Sequence, residues 1–126
     1  MDPKIFGAAV VMLGLLAQGA AAADDAADRA KLARLREEVA ALIGPATCSN
    51  LVNCRVAALG VDACGNPLEY VAYSWLSTEK DALETKVAEY NFLQEDVQRK
   101  SGSLPPCADR PQPVPACVNR RCVIKP

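Results

Sequence analysis

The sequence predicts an α+β fold: a small antiparallel sheet of three or four short strands packed with one long helix, preceded by an N-terminal helix and stapled by disulfides. Three observations predict it. Six cysteines lie beyond an apolar leader, two stretches repeat apolar residues at helical spacing, and between those stretches a strand-like run leads to a Cys-Gly-Asn-Pro turn followed by an alternating segment.

The leader comes first. Met1 to Lys4 is a short, weakly basic start, Ile5 to Leu16 is an apolar stretch of signal-peptide length, and Gln18 to Ala23 places small residues where signal peptidase reads them. Residues 1–23 are therefore expected to be a signal peptide cleaved after Ala22 or Ala23, leaving no membrane span. No cysteine sits at the cleavage point, so no lipid-modified N-terminus is indicated. Residues 24–46 then form the N-terminal helix, and residues 47–126 the disulfide-rich domain. The expected location is exported, either periplasmic or secreted.

Leu32, Leu35, Val39 and Leu42 make one narrow stripe over Asp25 to Ile43, and Gly44-Pro45 stops the helix. A strand follows over Cys54 to Leu59. Gly65 and Asn66-Pro67 supply turn chemistry, and Leu68 to Trp75 alternates as the antiparallel neighbour, because the connection is too short for a parallel crossover. Thr78, three residues before Asp81, opens a helix of about Glu79 to Lys100 carrying Leu83, Val87, Tyr90, Leu93 and Val97, which Ser101-Gly102 ends. Five prolines between Leu104 and Pro115 exclude regular helix and predict an extended connection. Cys117 to Val123 reads as a terminal hairpin turning at Asn119-Arg120.

Export makes Cys48, Cys54, Cys64, Cys107, Cys117 and Cys122 three expected disulfides, since thiols persist as bridges only in oxidising surroundings. Six cysteines allow more pairings than spacing can rank. Cys117 and Cys122 would face each other across the hairpin, near enough to bridge. Each could equally tie that edge to Cys48, Cys54, Cys64 or Cys107.

This order of elements resembles a group of small bacterial exported cysteine-rich proteins. Thr47-Cys48, Asn53-Cys54-Arg55-Val56, Cys64-Gly65-Asn66-Pro67 with Tyr70, Tyr90-Asn91, Cys107, and Pro115 to Val123 carry the resemblance, over roughly Thr47 to Val123. It implies a periplasmic or secreted bacterial setting and no activity. Arg120 departs from the glycine usual at that place in the closing Cys-Val-Asn-Gly-x-Cys pattern, and a left-handed non-glycine residue costs about 1 kcal/mol.

Candidate chemistry is sparse. Histidine is absent, and the net charge of −1 with interspersed signs argues against a nucleic-acid backbone as partner. No two cysteines have zinc-knuckle spacing, so neither a metal nor a cofactor is indicated. Asp62 with Glu69 is a possible acid pair, though solvated turn carboxylates account for it, and Ser74 or Ser77 with Lys80 is a possible Ser-Lys arrangement, although the serines lie at a strand end and the lysine enters a helix start. Tyr73 and Trp75 share a strand face opposite Tyr70 and are the better candidates for binding, whereas Tyr70 and Tyr90 are expected in the core. Arg120 and Arg121 on a cross-linked turn are candidates for contacting a protease. The expected function is an exported, non-catalytic binding or envelope-associated protein that engages another protein or a cell-surface component. The competing expectation is an inhibitor of an extracellular or periplasmic hydrolase.

Overall fold

The computed structural model describes the chain from Gly14 to Lys125. Its elements are α1 (Gly14–Ile43), a short 3-10 turn (Leu51–Asn53), β1 (Cys54–Val61), β2 (Pro67–Ser74), α2 (Lys80–Ser101), β3 (Pro115–Val118) and β4 (Arg121–Ile124). The fold is α+β, with the four strands divided between two antiparallel hairpins, β1–β2 and β3–β4, instead of joined in a single sheet.

The described part of α1 runs through the alanine-rich stretch where the leader was expected to end, since alanine is the strongest helix former and nothing between Gly14 and Ile43 breaks the ladder. The cleavage expected at Ala22 or Ala23 would fall within this helix, and residues 1–13 of the leader lie outside the described residues. No helix of the described residues is long and apolar enough to cross a membrane.

Helices α1 and α2 lie antiparallel. Lys86 reaches Glu38 at 3.1 Å and Arg36 donates to the Tyr90 hydroxyl at 3.1 Å, so residue numbers rise on one helix as they fall on the other. Val39 of α1 and Leu83 and Val87 of α2 meet Leu59 and Tyr73 of the first hairpin in the main core. The register explains which face is buried there. Arg55 pairs with Tyr73, Ala57 with Val71 and Leu59 with Glu69, so these alternate residues share the helix-facing side. Tyr70 and Ala72 look the other way, and the Tyr70 hydroxyl donates to the Arg110 carbonyl at 2.6 Å. The first hairpin is thus the middle layer, with helices on one face and the proline-rich arm and second hairpin on the other.

Turn and cap residues act largely as their chemistry dictates. Gly44 and Gly102 take positive φ after α1 and α2. Thr78 departs from expectation: Glu79 occupies the cap position of α2, and the buried Thr78 hydroxyl instead donates to the Leu42 carbonyl at 3.1 Å, satisfying a free carbonyl in the last turn of α1.

The bridges are Cys48–Cys117, Cys54–Cys122 and Cys64–Cys107. Cys117 and Cys122 do sit opposite each other in the second hairpin, as expected, but they are not bonded together. The hairpin packs on β1 and runs beside the segment around Thr47, so Cys122 bonds to Cys54 of β1 and Cys117 to Cys48 of that segment. Asn119 and Arg120 form the two-residue turn with φ of 51° and 63°, the left-handed pair such a hairpin requires even without glycine.

Candidate binding surface

The loop between Cys48 and Cys54 is short and its polar groups are turned inward. The Asn53 side-chain carbonyl accepts from Ser49 N–H and Ser49 Oγ–H at 2.9 and 3.0 Å, and the Asn50 side chain accepts from Val52 N–H at 2.9 Å. With the polar groups engaged and both flanking cysteines bridged, Leu51 and Val52 are left projecting outward, 54% and 66% exposed. Trp75 follows β2 directly and is drawn to the same loop. Its backbone N–H donates to the Asn53 carbonyl at 3.1 Å and its indole N–H to the Val52 carbonyl at 2.9 Å. Leu76 is exposed beside it.

Leu51, Val52, Trp75 and Leu76 therefore form one exposed apolar patch with a basic rim, because Arg55 donates to the Val52 carbonyl at 2.8 Å. Scattered exposed apolar residues are ordinary, but a contiguous group held on a cross-linked frame is the form that interaction sites take. The indole is anchored by its own N–H, so little side-chain freedom remains to be lost on binding. Trp75 is the one predicted aromatic found here. Tyr73 is 6% exposed within the main core and is not part of a surface, because it faces the helices with Val71. Leu51, Val52 and Leu76 escaped the sequence reading. The signal available was two adjacent apolar residues inside a short bridged loop, which has no interior in which to bury them.

Arg120 and Arg121 lie at the other hairpin. The Arg120 carbonyl accepts from Cys48 N–H at 3.0 Å, Arg121 pairs with Val118 in the ladder and bridges to Thr47, and the Arg121 Nε donates to the Pro45 carbonyl at 3.3 Å. A protease cleft takes up an extended segment through free backbone groups. Here the backbone is left-handed at Arg120 and already paired on both sides of Arg121, a geometry unsuited to that insertion.

A groove of about 320 Å³ runs between β1 and α2, bordered by Val56, Ala58, Tyr73, Leu83 and Asn91. Asn53 and Trp75 share a hydrogen bond, so in the same register Arg55, Ala57 and Leu59 point their backbone groups at β2, and Val56 and Ala58 point theirs at the open edge. Farther along that edge α2 takes the place of a strand. The Asn91 side chain accepts from Gly60 N–H at 2.6 Å, and the Gln94 amide pairs with both N–H and C=O of Val61 at 2.9 Å.

The remaining polar candidates are structural. Asp62 is 1% exposed and its carboxylate accepts from Cys64, Asn66 and Ala108 N–H, each at 2.9 Å, and from Arg110 at 3.1 Å. Burial pushes the Asp62 carboxyl up, but the hydrogen bonds from Ala108, Cys64, Asn66 and Arg110 outweigh it and hold the group well below the usual carboxylate range. Glu69, its supposed partner in an acid pair, instead makes an ion pair with Arg36. Ser74 is fully buried, accepting from Leu76 N–H, while Lys80 is paired with Glu84. Among the described residues no buried polar side-chain atom lacks a partner that a ligand could supply. The Sγ atoms of Cys48, Cys54 and Cys122 lie within 4.8 Å of one another, but each is committed to a disulfide and offers no thiolate to a metal. Comparison with protein-family models, curated proteins and solved structures finds no match to this chain.

Proposed function

We propose that the protein is an exported, non-catalytic binding module that engages another protein through the surface formed by Leu51, Val52, Trp75 and Leu76. The observation that carries this reading is the half-exposed Trp75, fixed by its indole N–H against the doubly bridged loop that presents the exposed Leu51 and Val52. Trp and Arg are the residue types that most often dominate binding energy, and both are present with Arg55 at the rim. The three disulfides support an oxidising destination beyond the cytoplasm. A non-catalytic role is supported by the use of Asp62, Ser74 and Lys80 within the fold.

The test is affinity capture from bacterial envelope and culture-medium extracts with the oxidised domain, compared with Trp75→Ser and with the double variant Arg120→Ala, Arg121→Ala. Loss of a central Trp is expected to cost at least about 2 kcal/mol of binding, about thirtyfold in affinity. The arginine variant is expected to bind as the parent does. Capture that survives Trp75→Ser would reject this surface, and a hydrolase lost only with the arginine variant would restore the inhibitor reading.

A further inference from the structure

Cys117 and Cys122 are directly opposed in the β3–β4 ladder yet bonded to different partners, Cys48 and Cys54. Cys122 N–H donates outward to the Ala46 carbonyl at 2.8 Å, away from β3, which makes Cys117 and Cys122 a non-hydrogen-bonded pair. Cα atoms at such a pair stand about 4.5 Å apart, a separation that a disulfide spans. On the other side, the Cys48 and Cys54 sulfurs lie within 4.8 Å of each other and of Cys122. Two bridges thus lie side by side: the Cys48, Cys54 and Cys122 sulfurs are mutual neighbours, and Cys117 stands opposite Cys122 in the ladder.

We propose that these four cysteines form a thiol–disulfide exchange site. A small thiol in its thiolate form would convert the Cys48–Cys117 and Cys54–Cys122 pairing into Cys48–Cys54 and Cys117–Cys122. The entering thiolate attacks Cys117 Sγ, the half-buried member of a set whose other three sulfurs belong to buried residues. The Cys48–Cys117 bond breaks and Cys48 leaves as a thiolate carrying the bonding pair. Cys48 then attacks Cys54 Sγ, the Cys54–Cys122 bond breaks, and Cys122 leaves as a thiolate. Cys122 attacks Cys117 across the ladder and expels the original thiolate. Two disulfides remain throughout the net change, nothing is oxidised or reduced, and the thiol is regenerated.

The exchange detaches the second hairpin covalently from the middle layer, leaving it the backbone hydrogen bonds around Thr47 and Arg121. It also closes a small ring around Leu51 and Val52. Cys64–Cys107, at the far turn of the first hairpin, lies outside the cluster and serves as an internal reference.

The experiment is peptide mapping of the oxidised wild-type protein incubated with substoichiometric glutathione, quenched with acid and an alkylating agent and digested with trypsin without reduction. Residues 37–55 carry both Cys48 and Cys54 on one tryptic peptide, while cleavage after Arg120 and Arg121 separates Cys117 from Cys122. In the starting form this peptide is cross-linked to the peptides carrying Cys117 and Cys122. Exchange releases it with an internal disulfide, two mass units below its reduced form, in step with the loss of both original cross-links, while fragmentation of the linked peptides 56–80 and 101–120, the latter carrying both Cys107 and Cys117 because trypsin spares Arg110-Pro111, shows Cys64–Cys107 intact. Failure to release it would overturn the proposal. Release accompanied by equal scrambling of Cys64–Cys107 would overturn it as well, because that pattern belongs to general unfolding.

Discussion

At the scale of single residues, Asp62 shows how one side chain organises the segments around it. It is buried at the end of the first hairpin, and its carboxylate gathers donors from the Cys64 turn and from the proline-rich arm. Its role depends on charge. The folded-state pKa is depressed below the ordinary value of 3.8, so the folded protein binds fewer protons than the unfolded chain in acid. The stabilisation is therefore present above about pH 4 and is lost as pH falls below it. Thermal melts of the wild type should fall in Tm between pH 5 and pH 2. Asp62→Asn should melt lower at pH 7 and with a shallower acid dependence, and parallel acid profiles would show that other carboxylates carry the effect. Trp75 is the opposite case, an aromatic whose hydrogen bond holds it at the surface. Trp75→Ser should leave urea-unfolding stability within about 1–2 kcal/mol of the parent, since one hydrogen bond and a partly exposed ring are lost.

At the scale of elements, the first hairpin owes its covered face to register. Val71 and Tyr73 meet the helices because Ala57 and Leu59 stand beside them on the same side. Leu83 of α2 packs into that face and is 1% exposed. Leu83→Ala should cost about 2–5 kcal/mol, the range for a leucine removed from a close-packed core, measured by chemical denaturation. The end of β1 has a different constraint. Gly60 has φ of 79°, and a Cβ there would lie 2.9 Å from Leu68 Cδ1 and 3.2 Å from Leu68 Cβ. Gly60→Ala should destabilise by about 1–3 kcal/mol through left-handed strain, and a variant as stable as the parent would show that the backbone relaxes there. Asn91 and Gln94 on α2 complete this edge by pairing with Gly60 and Val61, so a helix face limits how far another strand could extend along β1.

At the scale of the whole molecule, three long-range bridges hold three thin layers. Cys48–Cys117 and Cys54–Cys122 join segments 69 and 68 residues apart, and Cys64–Cys107 joins segments 43 apart. The chain-entropy model assigns about 4 kcal/mol to a loop of that last size, taken alone. Replacing Cys64 and Cys107 together by alanine should lower unfolding stability by up to that amount. Full reduction should unfold the domain beyond α1 and abolish near-ultraviolet circular dichroism; an unchanged melt on reduction would show that the apolar core suffices by itself. A small domain with so few large aromatic residues in its interior depends on such cross-links more than a larger one does.

Local chemistry was sufficient for the elements themselves. Apolar spacing of three and four residues identified α2 and the part of α1 beyond the leader. Alternation identified β2, the short apolar run stopped by Gly60 identified β1, glycine at Gly44, Gly65 and Gly102 marked turns and caps, and prolines marked the extended arm. These signals act over a few neighbouring residues, so they are written in the chain. The even cysteine count likewise implied complete bridging. What required the tertiary structure was every choice between equivalent local options. Either face of β2 could have met the helices, and the one that did carried Tyr73 into the core, whereas Trp75 lies just past the end of β2 and is held at the surface by its bonds to Asn53 and Val52. The second hairpin placed Cys117 and Cys122 opposite each other, but its docking against β1 and the segment around Thr47 brought Cys54 and Cys48 within bonding reach, a choice that only the tertiary structure makes. Asp62 could not be told from a solvated turn carboxylate until Arg110, 48 residues away, was brought against it. Contacts between distant segments depend on how layers stack, and stacking is decided by the burial of the whole chain together.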